Sequence, residues 1–441
     1  MLITETMAGP RAGHAHPCHA APSWAEARRL AYECAGPLPP VWVPLADADG
    51  RVLNRDVAAL QDLPHYASSA MDGWAVNGAG PWLLPDPQQP PAHPDLAAYG
   101  RLAPNHARVI ATGGLVPAGA EAILRKESGE VVPGHSGSLL LTVGPGARAD
   151  EPRRGQHIRP AGEEALAGDV LLPAGTVLNP ARIALAAVAG HDEVQVRARP
   201  SVAVVLTGSE VVTQGVPAAG EVRDTFGPQL GTVLSQLGGI AGSPVRIGDS
   251  FSEWLSALDT ATAPGGGKAD VVITTGGTGR SGTDHFRAAI GSLGGRILLD
   301  GIAMRPGHPA VLAELPDGRF VAGLPGNPLA AMMALLTVGA PLIAALGGRP
   351  LPAATDVLSG SDMPPDPGRT RLVPCRLLSG LAFPVQHTGP GMMRGLAWAE
   401  GVMVVPPDGV DSGQPVPVLP LPWSPGVDMV PGTNPQGRSI P

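Results

Sequence analysis

No block of lysine and arginine occurs along this chain, whose charged residues amount to 15% and whose formal net charge is -8. The basic footprint of a nucleic-acid binder is therefore missing. Cysteine is scarce. The three that occur, Cys18, Cys34 and Cys375, form no CxxC pair and are odd in number. That argues against a disulfide framework and fits a reducing compartment, so the cytoplasm is the expected location. The start, MLITETMAGPRAGHAHPCHAAPSW, lacks the basic opening and apolar core of a signal peptide, and no run of 18 apolar residues follows. Neither secretion nor a membrane partner is expected.

What is present is length enough for several cores. At roughly 150 residues per domain, 441 residues predict between about two and four domains. His14, His16, Cys18 and His19 lie close together in the tail, which reads either as a soft-metal ligand set or as a flexible segment that needs no ligand. SWAEARRLAYEC reads as a helix capped by Ser23, and LPPVWVPLADADGRVLNRDVAAL as short strands about the Asp49-Gly50 turn. The Pro-rich stretch from Pro81 to Pro94 reads as a surface loop. Beyond it RVIATGGLVPAGAEAILRKESGEVV and SLLLTVG alternate like antiparallel strands, and Asn179 with Pro180 signals a helix start.

From Pro200 the pattern changes. SVAVVLT, DVVITT and RFVAGL are short apolar runs, each followed by a Gly-rich turn and a helical pattern, as buried parallel strands read. Ligands of open parallel sheets sit beyond the carboxyl ends of the strands, so the turns TGSE, TTGGTGRSGTDH and LPGNP are expected to share one cleft. Asn327 and Pro328 open an apolar helix whose free N–H groups attract anions, although an ordinary capped core helix explains the same residues. Gly276, Gly277 and Gly279 and the cationic loop MRPGHP, with Arg305 and His308, add anion-friendly elements. Glu210, Asp224 and Asp284 lie in the same loops and suit Mg²⁺ bridging to phosphate; for Asp224 with Thr225, helix capping is the competing role. In SSAMDGWAV, Asp72 followed by Gly73 reads first as a tight turn.

The ordered set SSAMDGWAV, RVIATGGLVPAGAEAILRKE, HIRPAGEE, VAVVLTGSE, EVRDTFGPQL, VVITTGGTG, MRPGHP and GLPGNPLAA, spread from about Trp24 to Trp423, resembles the molybdopterin molybdotransferase family. The resemblance implies a multi-domain α/β chain. Residues 1–22 would be a flexible tail, 23–59 and 150–193 a discontinuous first domain, and 60–149 a β-rich insertion domain. Residues 194–348 would form a parallel-sheet α/β domain binding molybdopterin, 349–424 a C-terminal β-barrel, and 425–441 a second tail. It also implies a homodimer in which the Asp72 loop faces the α/β domain of the other subunit. The substrates implied are molybdate and adenylylated molybdopterin, with Mg²⁺ as cofactor and AMP released.

The same resemblance makes Asp72, Glu210, Asp224 and Asp284 the catalytic set, the last three also holding Mg²⁺. It assigns Thr112, Thr207, Gly208, Gly276, Gly277, Arg305, Pro306, His308, Pro325, Gly326 and Asn327 to substrate binding. Molybdopterin adenylyltransferase and molybdoenzyme acceptors are the implied protein partners. Several positions depart from the family pattern: Ser209 stands for an acid, Glu164 for an Asp, His308 for a Lys and Ala330 for a Ser, while the loop bearing Arg280 is one residue longer. Two further readings therefore stand beside the transferase: a molybdopterin adenylyltransferase, and a non-catalytic pterin-binding scaffold.

Overall fold

The computed structural model describes residues 21–85, 100–279 and 284–424. The His14, His16, Cys18 and His19 group and Arg280 lie outside them. Contacts divide the chain into two compact units, Pro40–Val196 and the remainder.

In the larger unit the three apolar runs form Ser201–Leu206, Val271–Thr275 and Phe320–Leu324, paired in parallel in that order. Val311–Glu314 and Arg296–Asp300 extend the sheet antiparallel beyond Phe320–Leu324. Alternate residues of each strand point to opposite faces. One face buries Val202, Val204 and Ile273 against Leu234, Leu335 and Ile343; the other buries Val205 and Val272 against Trp254, Leu258 and Phe286. Both faces are covered, which is why the strands read as continuous apolar runs. Register sets the functional geometry: Leu206 is opposite Thr275 and Thr275 opposite Leu324, so the three strands end level and their loops emerge together.

The helix after LPGNP is Pro328–Leu346, 19 residues, wholly buried. By length and composition alone it could cross a membrane, although Thr337 interrupts its apolar run; full burial marks it as a core helix. A π-turn interrupts it at Leu335–Gly339, and such turns displace the regular carbonyl pairing. The helix Trp24–Glu33 packs there. Trp24 Nε1 donates to Thr337 Oγ1 at 3.2 Å and Arg28 donates to the Leu336 carbonyl at 2.9 Å and to the Pro352 carbonyl. Arg28 is 4% exposed, and burial pulls its guanidinium down to about 10. Ser23 and Glu26 close a capping box at the start of this helix, as its sequence predicts.

C-terminal strands close a barrel. Thr370–Leu378 pairs with Leu381–Pro384 and with Gly401–Val405; Thr355–Ser359 pairs with Leu381–Pro384 and Pro415–Pro420; and Pro415–Pro420 returns to Gly401–Val405. Cys375, Met403 and Val416 fill its centre. Met304–Arg305, in MRPGHP, adds in parallel to Thr370–Arg371 and ties that loop to the barrel.

The smaller unit carries two three-stranded sheets, Ala107–Ile110 with Gly73–Val76 and Ala122–Arg125, and Trp82–Leu84 with Leu139–Val143 and Gly129–Pro133. The helix Pro180–Val188 begins as its sequence predicts, with Asn179 Oδ1 accepting the Arg182 amide at 2.9 Å.

Candidate functional site

A cleft of about 770 Å³ opens over the level strand ends. Thr207, Gly208, Glu210, Asp224, Gly276, Gly277, Asp284, Pro325, Gly326 and Asn327 all line it, so the three loops do share one cavity. They are cross-tied. Thr207 Oγ1 donates to the Thr275 carbonyl at 2.6 Å, and the Gly276 amide donates to the Leu324 carbonyl at 2.9 Å. Gly277 has φ +64, and a Cβ there would overlap the buried Trp254 ring, so no other residue fits. Asn327 occupies the cap position but makes no side-chain cap hydrogen bond; its Oδ1 lies next to Gly391. The Ala330 amide in the first helical turn is taken by the Pro390 carbonyl at 3.1 Å.

The acids of the cleft differ in availability. Asp224 Oδ1 accepts the Phe226 and Gly227 amides at 3.0 and 3.1 Å, while Oδ2 is ion-paired with Arg246. Asp224 thus closes a turn ahead of the helix Leu230–Gln236 rather than capping it, since Gln229 holds the cap position and no side chain bonds there, and both its oxygens are engaged. Glu210 folds against Gly208, and Asp284 packs against Gly279. Among the described residues no group of three or more His, Cys, Asp or Glu is arranged to hold a metal. Mg²⁺ on a phosphate substrate needs only one or two carboxylates, and Glu210, Asp224 and Asp284 all line this cleft.

Three residues that sequence reasoning passed over shape this cleft. Asp249 lines it and accepts from Ser209, Oγ at 2.7 Å and amide at 3.1 Å. Arg246 lines it beside Asp224. Arg287 clamps the Gly-rich loop: Nη1 donates to the Thr278 and Gly279 carbonyls at 2.9 and 2.7 Å, and Nε to Asp300 at 3.1 Å. The signal for Arg246 lay in VRIGDS, a two-residue strand that places Arg246 opposite Leu206 at the sheet's carboxyl end.

MRPGHP is divided between two cavities. Arg305 and Pro306 line a separate cavity of about 530 Å³ with Asp366, Arg371, Thr388, Gly389 and Pro390, whereas Pro309 lines the first cleft. Arg305 is 62% exposed and 3.9 Å from Asp366. His308 borders neither cavity, and its Nδ1 hydrogen-bonds the Ile302 carbonyl at 2.6 Å. The segment from Thr388 to Gly391 runs past both cavities. In the smaller unit, Asp72 Oδ1 accepts the Thr112 amide at 2.7 Å and its hydroxyl at 3.1 Å, across the pairing of Gly73–Val76 with Ala107–Ile110. Those bonds, with Lys126 adding, hold the Asp72 carboxyl below its ordinary value.

Comparison with known proteins bears directly on this arrangement. Molybdopterin molybdenumtransferase 2 of Mycobacterium tuberculosis is 30% identical over 406 residues, covering 88% of this chain and 96% of that protein. The chain belongs to the molybdopterin molybdenumtransferase family. A molybdopterin molybdenumtransferase of Nostoc sp. is 31% identical over 324 residues, covering 69% of each chain. Family models match in order: MoeA N-terminal region (domain I and II) at 22–190, Probable molybdopterin binding domain at 203–345, and MoeA C-terminal region (domain IV) at 357–421. The crystal structure of the molybdopterin biosynthesis moea protein from Pyrococcus horikosii shares the fold, with TM-score 0.68 and 24% identity over 91% of this chain and 99% of that one.

Among the departures of this family member, Ser209 keeps a carboxylate within reach through Asp249. Ala330 is buried at the foot of the helix.

Proposed function

We propose that the protein transfers molybdate into adenylylated molybdopterin with release of AMP, as a cytoplasmic, Mg²⁺-dependent homodimer. The observation that carries this reading is a glycine-walled, acid-rimmed cleft beside an arginine-lined cavity, with one segment, Thr388 to Gly391, bordering both. The cleft suits the phosphates and nucleotide. The neighbouring cavity, with Arg305 and Arg371, suits a tetrahedral oxyanion. In breaking the phosphoanhydride, water adds to phosphorus and AMP leaves. The Gly-rich loop after Gly276 would lie against the charge that develops on the phosphate oxygens, where preorganised donors act most strongly.

Glu210 and Asp284 are the carboxylates that would hold Mg²⁺, whose chemistry when bound is to neutralise phosphate charge. Asp249, fixed by Ser209, is available to orient the attacking water by accepting its hydrogen. Asp72, fixed by Thr112, would complete the site from the second subunit, and the dithiolene sulfurs of the pterin receive the metal. Molybdopterin adenylyltransferase as supplier and molybdoenzymes as acceptors fit this place in the pathway.

The full-length likeness to named transferases supports this reading over adenylylation, and the retained rim carboxylate supports it over an inert scaffold. Incubating the purified protein with adenylylated molybdopterin, molybdate and Mg²⁺ tests it. AMP release supports molybdate insertion, ATP consumption with molybdopterin would replace it with adenylylation, and binding without turnover would replace it with the scaffold.

A further inference from the structure

We propose that Arg246 is a phosphate-binding residue of the cleft, supplying at the Asp224 corner the positive charge that the carboxylate pattern alone assigns to a metal. The inference rests on the transferase reading and adds a recognition group to it.

Asp224 is 7% exposed and its oxygens are committed, one to the Phe226 and Gly227 amides and the other to the Arg246 guanidinium. A carboxylate so engaged has three of its roughly four acceptor sites in use. Arg246 is 37% exposed and lines the cleft beside Asp224, Thr225 and Asp249. Its backbone is fixed by pairing opposite Leu206, at the carboxyl end of the strand Ser201–Leu206. A guanidinium carries five N–H donors. The ion pair with Asp224 is made by Nη2, leaving further donors for a phosphate oxygen.

Gly227 is the independent sign that this pair is built in. A Cβ at Gly227 would overlap Asp224 Oδ2 and stand 3.0 Å from Arg246 Nη2, so only glycine admits both groups. The ligand class is a phosphate ester or anhydride, the chemistry that a planar fork of donors recognises best.

The test is ADP binding to the full chain by calorimetry, with EDTA and separately with Mg²⁺. In EDTA, Arg246→Met is expected to weaken ADP binding by about tenfold or more, and Arg246→Lys to recover part of it, since a lysine keeps charge without the fork. Asp224→Asn, which leaves the guanidinium in place, is expected to weaken it far less. Gly227→Ala displaces the pair without removing charge and is expected to fall between. Melting temperatures separate these effects from misfolding. ADP affinity in Arg246→Met within about twofold of the parent, in a folded protein, overturns the proposal, as does a parent that does not bind ADP in EDTA. Arg246-dependent binding in a protein that never releases AMP would instead sink the transferase reading alone.

Discussion

Ser209 holds Asp249 with both of its donors, the hydroxyl at 2.7 Å and the amide at 3.1 Å from the same carboxylate oxygen. Ser209 therefore sets a negative group at the rim of the cleft. Its contribution is positional: the hydrogen bonds fix a carboxylate that comes from the loop before the helix Phe251–Asp259.

Removing that hold is expected to cost activity gradually. Ser209→Ala loses one hydrogen bond, worth about 1 kcal/mol, and should lower AMP release several-fold with little change in melting temperature. Asp249→Asn should lower it by roughly a hundredfold if the carboxylate orients water. Equal, small effects from both variants would make the pair merely a loop fastening.

Arg287 offers a second handle on the same cleft. Arg287→Met releases the Thr278 and Gly279 carbonyls and the Asp300 pairing, and is expected to reduce kcat by about tenfold as the Gly-rich loop loses its fixed geometry. Arg287→Lys should restore part of the rate. A fall in KM-dependent binding alone, with kcat unchanged, would contradict a positioning role.

Asp72 gives a pH signature. Its carboxyl lies below the ordinary 3.8 because Thr112 donates to the charged form. Thr112→Val removes the hydroxyl and keeps the amide, so the Asp72 carboxyl should rise toward 3.8 and the acid limb of AMP release should move upward in pH. Carbon-13 titration of the carboxyl in both proteins checks the shift, and an unmoved resonance would remove the Thr112 hydroxyl as a cause and leave the backbone amide.

Glu151 is expected to govern the acid stability of the smaller unit. Arg125 grips it at 2.8 and 3.0 Å, and with help from the Arg148 amide and Ser128 draws its carboxyl from 4.5 to about 2. The folded value lies below the unfolded one, so its stabilisation is full above about pH 4.5 and is lost as pH falls through about 2. Glu151→Gln should destabilise by on the order of 3 kcal/mol at pH 7, since Arg125 loses a buried partner. The gap in melting temperature between variant and parent should close as pH approaches 2, and a gap independent of pH would contradict the ion-pair origin.

The helix starts at Ser23 and Asn179 and the three apolar strands ending in glycine loops were legible because each depends on residues a few positions apart. The cleft was legible for the same reason, once parallel strands were read to end together. Asp224 with Arg246, Ser209 with Asp249 and Arg287 with Asp300 were not, for they join residues 22, 40 and 13 apart through strand register and loop packing. MRPGHP shows the limit most clearly: its composition suggests one cationic loop, yet strand pairing of Met304–Arg305 with Thr370–Arg371 sends Arg305 to another cavity and leaves His308 bonded to its own loop.

The most direct measurement of the central claim follows AMP and pterin-bound molybdenum in one reaction containing adenylylated molybdopterin, molybdate and Mg²⁺. Insertion coupled to cleavage predicts that the two products appear in equal amounts and that a Glu210→Gln, Asp284→Asn double variant makes neither. AMP formed without molybdenum on the pterin, or formed equally well by that variant, would contradict the account.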